Sequence, residues 1–410
     1  MGFKVFFKRY NFLVLALLPM LSLAMVSIAT ALFVIGSIIL YKKNDNQNFF
    51  GDNKKYFRIL FWYSLPFPLL ILSLIWTEDL KNGISILEKG LSFVIIPGTI
   101  FFLRPINSKN QIRIFIQTYI ISSTVYGIIM LAYIFCQSIP SDLLLISNYQ
   151  STIKLRSLFD KIPLLNEHPI YFTLLTGTAL LLLYYNKFKQ EWINIIITII
   201  LLAGILLASS RGPILALFLV FIVILYTNIK NKLKALAVIA IFLLSSVFIV
   251  YLTPLKSRLD EITNTKNLYP EGIHHNSFNL RMGIYKCSFQ LMKTTPIMGF
   301  GGDVQHALDQ CYIESFNTDA YQITSYNSHN QYFHFWLSFG VLGFILILCS
   351  YIIYIQKAVL FKDQEYGMFL LFFFVAFLTE NILSRNTGIV LFTLFNSLLF
   401  YKNLVAHDSD

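Results

Sequence analysis

The chain has 410 residues, of which 56% are hydrophobic and only 13% are charged, and its formal net charge is +11. This composition excludes a soluble globular domain and is typical of a polytopic membrane protein. The positive charge does not indicate nucleic-acid binding, because Lys and Arg occur in short clusters between apolar runs, without a basic face or an RNA-binding signature.

Apolar runs recur along nearly the whole chain, with lengths close to the roughly 17 to 25 residues that cross a hydrocarbon core of about 30 Å. We therefore expect one all-α membrane domain over residues 1–410, with about twelve transmembrane helices and both termini on the same side. The predicted spans are 12–26, 27–41, 57–76, 84–103, 112–136, 169–186, 192–209, 213–228, 234–252, 331–355, 367–383 and 388–401.

The positive-inside rule orients these spans, because short loops rich in Lys and Arg stay cytoplasmic. The basic clusters fall on one face only if 12–41 forms two short helices. The N-terminal run resembles a secretory signal up to Ala31, but the apolar run continues, so we expect it to be uncleaved. The residues assigned to the cytoplasmic face are Lys4, Lys8, Arg9, Lys42, Lys43, Lys54, Lys55, Arg104, Lys109, Lys187, Lys189, Lys230, Lys232, Lys357 and Lys362.

Two segments on the opposite, outer face are long enough to fold: residues 137–168 and the larger 253–330. Cys287 and Cys311 share the larger segment, so a disulfide between them is one possibility. The other two cysteines lie in or near spans, where a buried free thiol is ordinary packing. No cysteine pair has metal-ligand spacing.

The larger outer segment carries two predicted helices. LKSRLDEITNT (255–265) has the pattern of a short polar helix. The stretch 278–302 begins with an amphipathic helix, whose apolar residues recur every three or four positions and which ends before Pro296. A turn with three glycines, at 299, 301 and 302, follows it.

Two arginines on the outer face have both a structural and a functional interpretation. Arg211 lies in LLASSRGPILAL, where Gly212-Pro213 predicts a turn and a helix start, and it could simply be an interfacial side chain that reaches water. Arg281 lies early in the amphipathic helix and could be solvated or salt-bridged. Together they suit a pyrophosphate-linked lipid, because a guanidinium donates two parallel hydrogen bonds to phosphate oxygens.

His329 follows a polar loop and precedes an apolar span, so it is expected at the boundary between water and lipid. A lone histidine near a helix start is often structural, but an imidazole there can also take a proton from a sugar hydroxyl. His334, five residues further on, is expected to face elsewhere and to serve in packing.

Weaker site candidates are His168, at the end of the first outer segment, and Glu380 and Arg385, at the outer end of a span. Intramembrane ionisable groups are often functional, although Glu380 and Arg385 could merely pair with each other. The sequence has neither a Walker A loop nor a GxSxG motif, so nucleotide hydrolysis and α/β-hydrolase chemistry have no support. No acidic pair with the spacing of a divalent-metal site occurs on an outer segment.

Three segments in order resemble the O-antigen ligase and polymerase superfamily of bacterial envelope enzymes. They are SSRGPILAL (209–217), LRMGIYKCSFQLMKTTPIMGFGG (280–302) and SHNQYFHFWLSFGVLG (328–343). The second resembles the family's Arg, helix, Pro and Gly-x-Gly pattern, and the third its His-Asn motif followed by Gly-x-x-Gly. The resemblance covers residues 195–345, whereas the rest of the chain agrees only in hydropathy and number of helices.

The resemblance implies a GT-C-type membrane glycosyltransferase with a helical periplasmic insertion, in the bacterial inner membrane, with cytoplasmic termini. It implies an undecaprenyl-pyrophosphate-linked glycan as donor, an inverting mechanism at the periplasmic face, and no metal or other cofactor. Arg211 and Arg281 would bind the donor pyrophosphate and His329 would activate the acceptor hydroxyl, with Asn330 as an added candidate. EHPIYF (167–172) resembles some branches of the family, which adds His168.

The acceptor is not readable from these motifs. A ligase that moves the glycan to lipid A core is favoured by the Arg, Arg and His-Asn set. A polymerase that extends the glycan and a protein O-oligosaccharyltransferase are the alternatives within the superfamily. A transporter of lipid-linked sugar is the alternative of a different class, but no inverted repeat or interrupted midplane helix is detected in the sequence.

Overall fold

The structure, a computed structural model, describes residues 10–41, 54–138, 149–163, 165, 167–263, 265, 267–294 and 297–407. The basic residues Lys4, Lys8, Arg9, Lys42 and Lys43, and the predicted helix stop at Pro296, lie outside these residues. Within them the fold is all-α, as predicted: no strand is present, and β-pairing is limited to two isolated bridges, Glu271–His274 and Gly272–Thr318.

The α-helices are numbered here in chain order. They are α1 (Leu23–Tyr41), α2 (Lys54–Tyr63), α3 (Pro66–Ser73), α4 (Leu80–Gly90), α5 (Ser92–Gly98), α6 (Lys109–Gln137), α7 (Tyr149–Phe159), α8 (Pro169–Tyr185), α9 (Glu191–Ala208), α10 (Arg211–Asn228), α11 (Lys232–Tyr251), α12 (Leu255–Thr263), α13 (Ser277–Thr294), α14 (Val304–Ser315), α15 (Ala320–Ile323), α16 (Gln331–Leu360), α17 (Gln364–Ala376) and α18 (Asn386–His407). Three segments are 3₁₀ helices: Asn11–Met20, Gly301–Asp303 and Ile382–Ser384. Thr99–Leu103 is a π-helix.

Eight helical segments among the described residues are long and apolar enough to cross a membrane. The number is nine if Tyr56–Tyr63 and Pro66–Ser73, which meet at 59°, form one broken span. Three further apolar helices are shorter: Asn11–Met20, α8 and α17. The chain is therefore an integral membrane protein, and the count of twelve spans stays a prediction. The expected division of 12–41 into two helices is present, because Asn11–Met20 is separate from α1.

The short helix α8 lies inside the bundle. Fourteen of its 17 residues are buried, on all sides of the helix. Its hydroxyl groups do not lack partners, because Thr173, Thr176 and Thr178 each donate to the carbonyl four residues earlier, at 2.7–2.8 Å. Such back-bonding makes a polar side chain tolerable where no water is present. At the periphery, α11 is almost entirely exposed and apolar, as expected for a helix that faces lipid.

The outer segment has a small hydrophobic core of its own. Apolar residues of α13, α14 and α15, with Leu337 of α16, form a buried cluster separate from the core of the bundle. Cys287 and Cys311 form a disulfide that joins α13 to α14, so the pairing left open by the sequence is present. The expectation of buried free thiols was wrong: Cys136 is exposed and Cys349 is partly exposed.

The glycine turn after α13 attaches this segment to the bundle at a break in α16. Gly340 has φ 65° and ψ −175°, and a Cβ atom there would lie 1.8 Å from the carbonyl oxygen of Ile297. Phe300 N–H donates to the Leu337 carbonyl at 2.6 Å, next to the break. Only glycine tolerates both the left-handed backbone and this close approach. The turn and the helix break therefore fix the outer segment over the end of α16.

A second close approach aligns α10 with the chain that follows α17. A Cβ atom on Gly212 would lie 1.9 Å from the Thr379 hydroxyl oxygen. Gly212 therefore lets the start of α10 lie directly against residues 377–381. The segment 377–383 is also bonded to the start of α16, since Gln331 N–H donates to the Phe377 carbonyl at 2.8 Å and the Gln331 side-chain oxygen accepts from Leu383 N–H at 2.7 Å.

Candidate active site

Arg211 is the first residue of α10, as the Gly212-Pro213 pattern predicted. The turn before it has a left-handed residue, Ser209 at φ 48°, and Ser210 makes no side-chain cap. The Arg211 guanidinium donates to the Arg258 carbonyl at 2.7 Å and to the Ser277 hydroxyl at 2.7 Å, and lies 3.4 Å from a Glu261 oxygen. These contacts hold the side chain in one orientation, with 24% of its surface exposed.

Arg281 approaches the same place from α13. One guanidinium nitrogen donates to the Thr379 carbonyl at 3.0 Å, and another lies 3.8 Å from a Glu380 oxygen. Its side chain is 31% exposed. The two arginines are 70 residues apart in sequence, yet both contact the segments packed against the start of α10.

His329 precedes α16 and has a left-handed backbone, with φ 43°. That conformation is uncommon for a residue with a Cβ atom and is held here by its neighbours. Its N–H donates to the Asn327 side-chain oxygen at 2.9 Å, and its Nδ1 lies 3.0 and 3.2 Å from the two carboxylate oxygens of Glu380. The imidazole is 22% exposed, and Nε2 makes no hydrogen bond to the described residues.

Glu380 follows α17 and is only 6% exposed. Burial by itself raises the pKa of such a carboxyl, but the hydrogen bond from His329 and the charges of His329 and Arg281 bring the pKa below its ordinary value. The carboxylate is therefore ionised at neutral pH and accepts the Nδ1 proton of His329. A carboxylate with a lowered pKa is a poor proton acceptor, so the arrangement makes His329 Nε2 the basic atom of the pair.

The alternative that Glu380 and Arg385 merely pair with each other is not seen in the described contacts. Glu380 is held by His329 and Arg281, whereas the exposed Arg385 guanidinium lies over the Tyr171 ring, 5.2 Å from its centroid. The sequence spacing of five residues could not show that a 3₁₀ turn after residue 381 would separate the two side chains.

Asn330 is the N-cap of α16. Its side-chain oxygen accepts from Tyr332 and Phe333 N–H, and its amide donates to the Leu378 carbonyl at 3.1 Å. Its own N–H donates to the Asn381 side-chain oxygen at 2.8 Å. Through these contacts Asn330 links the start of α16 to the segment that contains Glu380. This link fixes the distance between His329 and Glu380.

His168 is the N-cap of α8, where its Nδ1 accepts from Ile170 N–H at 3.3 Å. Burial, followed by the nearby charges of Arg156 and Arg385, lowers the pKa of His168 to about 4, so it is neutral at pH 7. The next residue back, Glu167, accepts from the Thr387 hydroxyl. His168 thus lies at the end of the bundle that carries the other candidates. His334, expected to serve in packing, is a partly buried residue of α16.

The sequence analysis did not identify three charged residues of this site, which are Arg156, Arg258 and Glu261. A cleft is lined by four arginines, Arg156, Arg211, Arg258 and Arg281, together with Glu380 and the turn before α10. Behind it, Glu261 accepts from Arg258 at 2.7 Å and from the Ser277 hydroxyl at 2.6 Å. Arg258 and Glu261 are three apart on a polar helix, which is the usual pattern of a surface ion pair, and nothing in the sequence ties Arg156 to residues beyond its own segment.

Fold and site together define an integral membrane protein of all-α architecture with an arginine-lined cleft and a histidine–carboxylate pair at one end of its helix bundle. Residues 196–348 match the family model for O-antigen ligase. This match supports membership of the O-antigen ligase superfamily, and the matched region includes Arg211, Arg281 and His329. A comparison with curated proteins gives no match.

Proposed function

We propose that this protein is a membrane glycosyltransferase of the GT-C type that transfers a glycan from undecaprenyl pyrophosphate to a hydroxyl of lipid A core. The observation that carries the proposal is the His329–Glu380 pair beside a cleft that contains Arg211 and Arg281, inside the region that matches O-antigen ligase. The positive-inside pattern supports a site on the periplasmic face of the bacterial inner membrane, with cytoplasmic termini.

Arg211 and Arg281 are the proposed ligands of the donor pyrophosphate. Both line the cleft, and both keep part of the guanidinium exposed while backbone carbonyls hold the rest. Charge-assisted bonds from such forks bind phosphate in a fixed orientation. They also stabilise the charge that develops on the leaving pyrophosphate, as does the N-terminus of α10.

His329 is the proposed general base. With Nδ1–H donated to Glu380, Nε2 takes the proton of the acceptor hydroxyl. The acceptor oxygen then forms a bond to the anomeric carbon as the bond from that carbon to the pyrophosphate oxygen breaks. Undecaprenyl pyrophosphate leaves with the bonding electrons, and single displacement inverts the anomeric centre. Glu380 orients the imidazole and stabilises the imidazolium that forms.

The acceptor distinguishes the candidates within the superfamily. The donor half of the site serves a ligase, a polymerase or a protein O-oligosaccharyltransferase equally. The description of the matching family and the Arg, Arg and His-Asn set favour the ligase. The position of all these groups at one end of the bundle favours an enzyme over a transporter, whose binding groups are expected near the membrane midplane.

The test is a reconstituted assay with purified full-length protein in nanodiscs and an undecaprenyl-pyrophosphate oligosaccharide. Lipid A core, a second donor molecule or an acceptor protein is added in separate reactions, each with and without EDTA. Glycan on lipid A core that persists in EDTA is the expected product. A lengthening lipid-linked ladder would make the protein a polymerase, and movement of the lipid-linked sugar across a vesicle membrane without any product would make it a transporter.

Three variants test the assigned roles in the same assay. His329→Ala is expected to lower the rate by about two to four orders of magnitude, the usual contribution of a general base. Arg211→Lys and Arg281→Lys are expected to lower it strongly, since a point charge does not reproduce the fork. Membrane insertion and expression level serve as controls. A His329→Ala protein that is folded and fully active would rule out the general-base role.

A further inference from the structure

The cleft beside Arg211 and Arg281 contains two more arginines that the proposed mechanism does not use. Arg258 comes from α12, and Arg156 comes from α7 in the first outer segment. Two carboxylates, those of Glu261 and Glu380, lie close to guanidinium groups of this cleft. Like charges at such close quarters repel one another, so an anion in the cleft would stabilise the arrangement.

Arg258 already has a carboxylate partner. It lies 2.7 Å from Glu261, only 13% of its side chain is exposed, and its backbone carbonyl accepts from Arg211. With these contacts, the main role of Arg258 is to hold the Arg211 side chain in place.

Arg156 differs from Arg258 in its contacts. Its guanidinium is half-buried and donates to the carbonyl of Ala208, the last residue of α9. Burial, and then the positive charges of Arg258 and Arg211, lower the pKa of Arg156 to about 10, although Asp160 and Glu261 oppose the shift. It therefore stays charged at neutral pH beside two other guanidinium groups.

The surroundings of Arg156 are polar groups that suit an anion. The Ser210 hydroxyl, which lines the same cleft, is buried and has no hydrogen-bond partner among the described residues. The start of α10 lines the same cleft, and Ser210 does not cap it with its side chain. A buried hydroxyl without a described partner, a helix N-terminus and excess positive charge together favour a multiply charged phosphate.

We infer that Arg156 is a further donor-binding residue, which contacts the second phosphate and makes the cleft selective for a lipid diphosphate over a lipid monophosphate. The inference rests on the proposed function for its choice of a polyprenyl diphosphate. It also gives α7 a role at the donor site. Arg156 is an additional guanidinium at the cleft, without a close carboxylate partner in the described contacts.

The test measures binding of two sugar-free probes, undecaprenyl pyrophosphate and undecaprenyl phosphate, to the full-length protein in nanodiscs. Wild-type protein is expected to bind the diphosphate at least about tenfold more tightly, the scale of one charge-assisted hydrogen bond. Arg156→Gln is expected to lower diphosphate affinity by about tenfold or more while monophosphate affinity changes by less than about threefold. Arg156→Lys, which keeps the charge, is expected to recover part of the preference. Arg113→Gln, an exposed arginine at the start of α6, is the matched control and should alter neither affinity.

Melting temperatures measured without ligand distinguish two roles of Arg156: binding of the lipid and stabilisation of the fold through the Ala208 carbonyl. If Arg156→Gln lowers the melting temperature but keeps the wild-type ratio of the two affinities, Arg156 is only structural and the inference is wrong. Equal affinities in wild-type protein would also overturn it. Failure of the proposed function is a different result: diphosphate preference that depends on Arg156, with no glycan transfer to any acceptor.

Discussion

Replacement of Glu380 by glutamine tests the His329–Glu380 pair with the smallest change of shape. In the wild-type protein both carboxylate oxygens lie within 3.2 Å of His329 Nδ1. A glutamine side chain removes the charge and can present its amide N–H to Nδ1 instead. The imidazole proton would then move to Nε2, which could no longer accept a proton from the acceptor hydroxyl.

The size of the effect follows from the burial of this contact. Glu380 is 6% exposed, so solvent screens it little. A hydrogen bond to a charged group contributes about 1.5–3 kcal/mol, and about 1.4 kcal/mol corresponds to a tenfold change in rate. We therefore expect Glu380→Gln to lower kcat by about 10- to 150-fold.

The assay is glycan transfer in nanodiscs at saturating donor. Glu365→Gln is the matched control. Glu365 is equally buried, at 5% exposed, and lies at the opposite end of α17, where it accepts from Lys402 at 2.6 Å. Its replacement should affect stability but not the kcat of the folded protein.

Two results would refute the role of Glu380. An unchanged kcat would show that the carboxylate does not act on His329. A fall in kcat matched by the same fall in Glu365→Gln would indicate general loss of packing.

Three further predictions concern the structure around the site. Replacement of both Cys287 and Cys311 by serine should destabilise the outer segment by about 3 kcal/mol, because the disulfide closes a loop with a separation of 24 residues. The loss should appear as a lower melting temperature. Replacement of the free Cys136 and Cys349 by serine is the control and should have no such effect. Gly340→Ala should lower the free energy of unfolding by about 1–3 kcal/mol, because the backbone there is left-handed and the added Cβ would clash with the Ile297 carbonyl. Gly98→Ala is the control and should not, since the space around its Cβ position is open. Equal melting temperatures for the two variants would contradict this prediction. The folded-state pKa of His168, near 4, lies below its ordinary value of 6.5, so the unfolded chain binds a proton first and stability falls as pH drops from 6.5 to 4. His168→Asn, which can still cap α8, should melt with a weaker pH dependence in that window, and an unchanged dependence would show that His168 does not cause it.

Much of the fold could be predicted because the bilayer imposes a simple rule on sequence. Apolar runs have to be helical in lipid, so the all-α class and the helices α12 and α13 followed from hydropathy and periodicity, and the division of 12–41 followed from the positive-inside rule. The shared location of Arg211, Arg281 and His329 was also expected, since all three lie on one predicted outer face. The number of spans was harder, because a buried helix such as α8 and a broken pair such as α2 and α3 give runs of similar hydropathy.

The tertiary structure decided which charged groups meet. Glu380 lies beside His329 because the chain after α17 is bonded to the start of α16 through Asn330. Arg156 entered the cleft from a separate segment that no spacing connects to it. Pairing of this kind depends on how helix ends pack.

The sequence alone therefore determined a helical membrane protein with a region that resembles O-antigen ligase, and it named seven candidate site residues, among them Arg211, Arg281 and His329. Hydrophobic length and local motifs are properties of neighbours along the chain, so they can be read without coordinates. Only the tertiary structure decided the histidine–carboxylate pair, the four-arginine cleft and the disulfide, because each joins residues from helices far apart in sequence, and their distances depend on packing of the whole bundle.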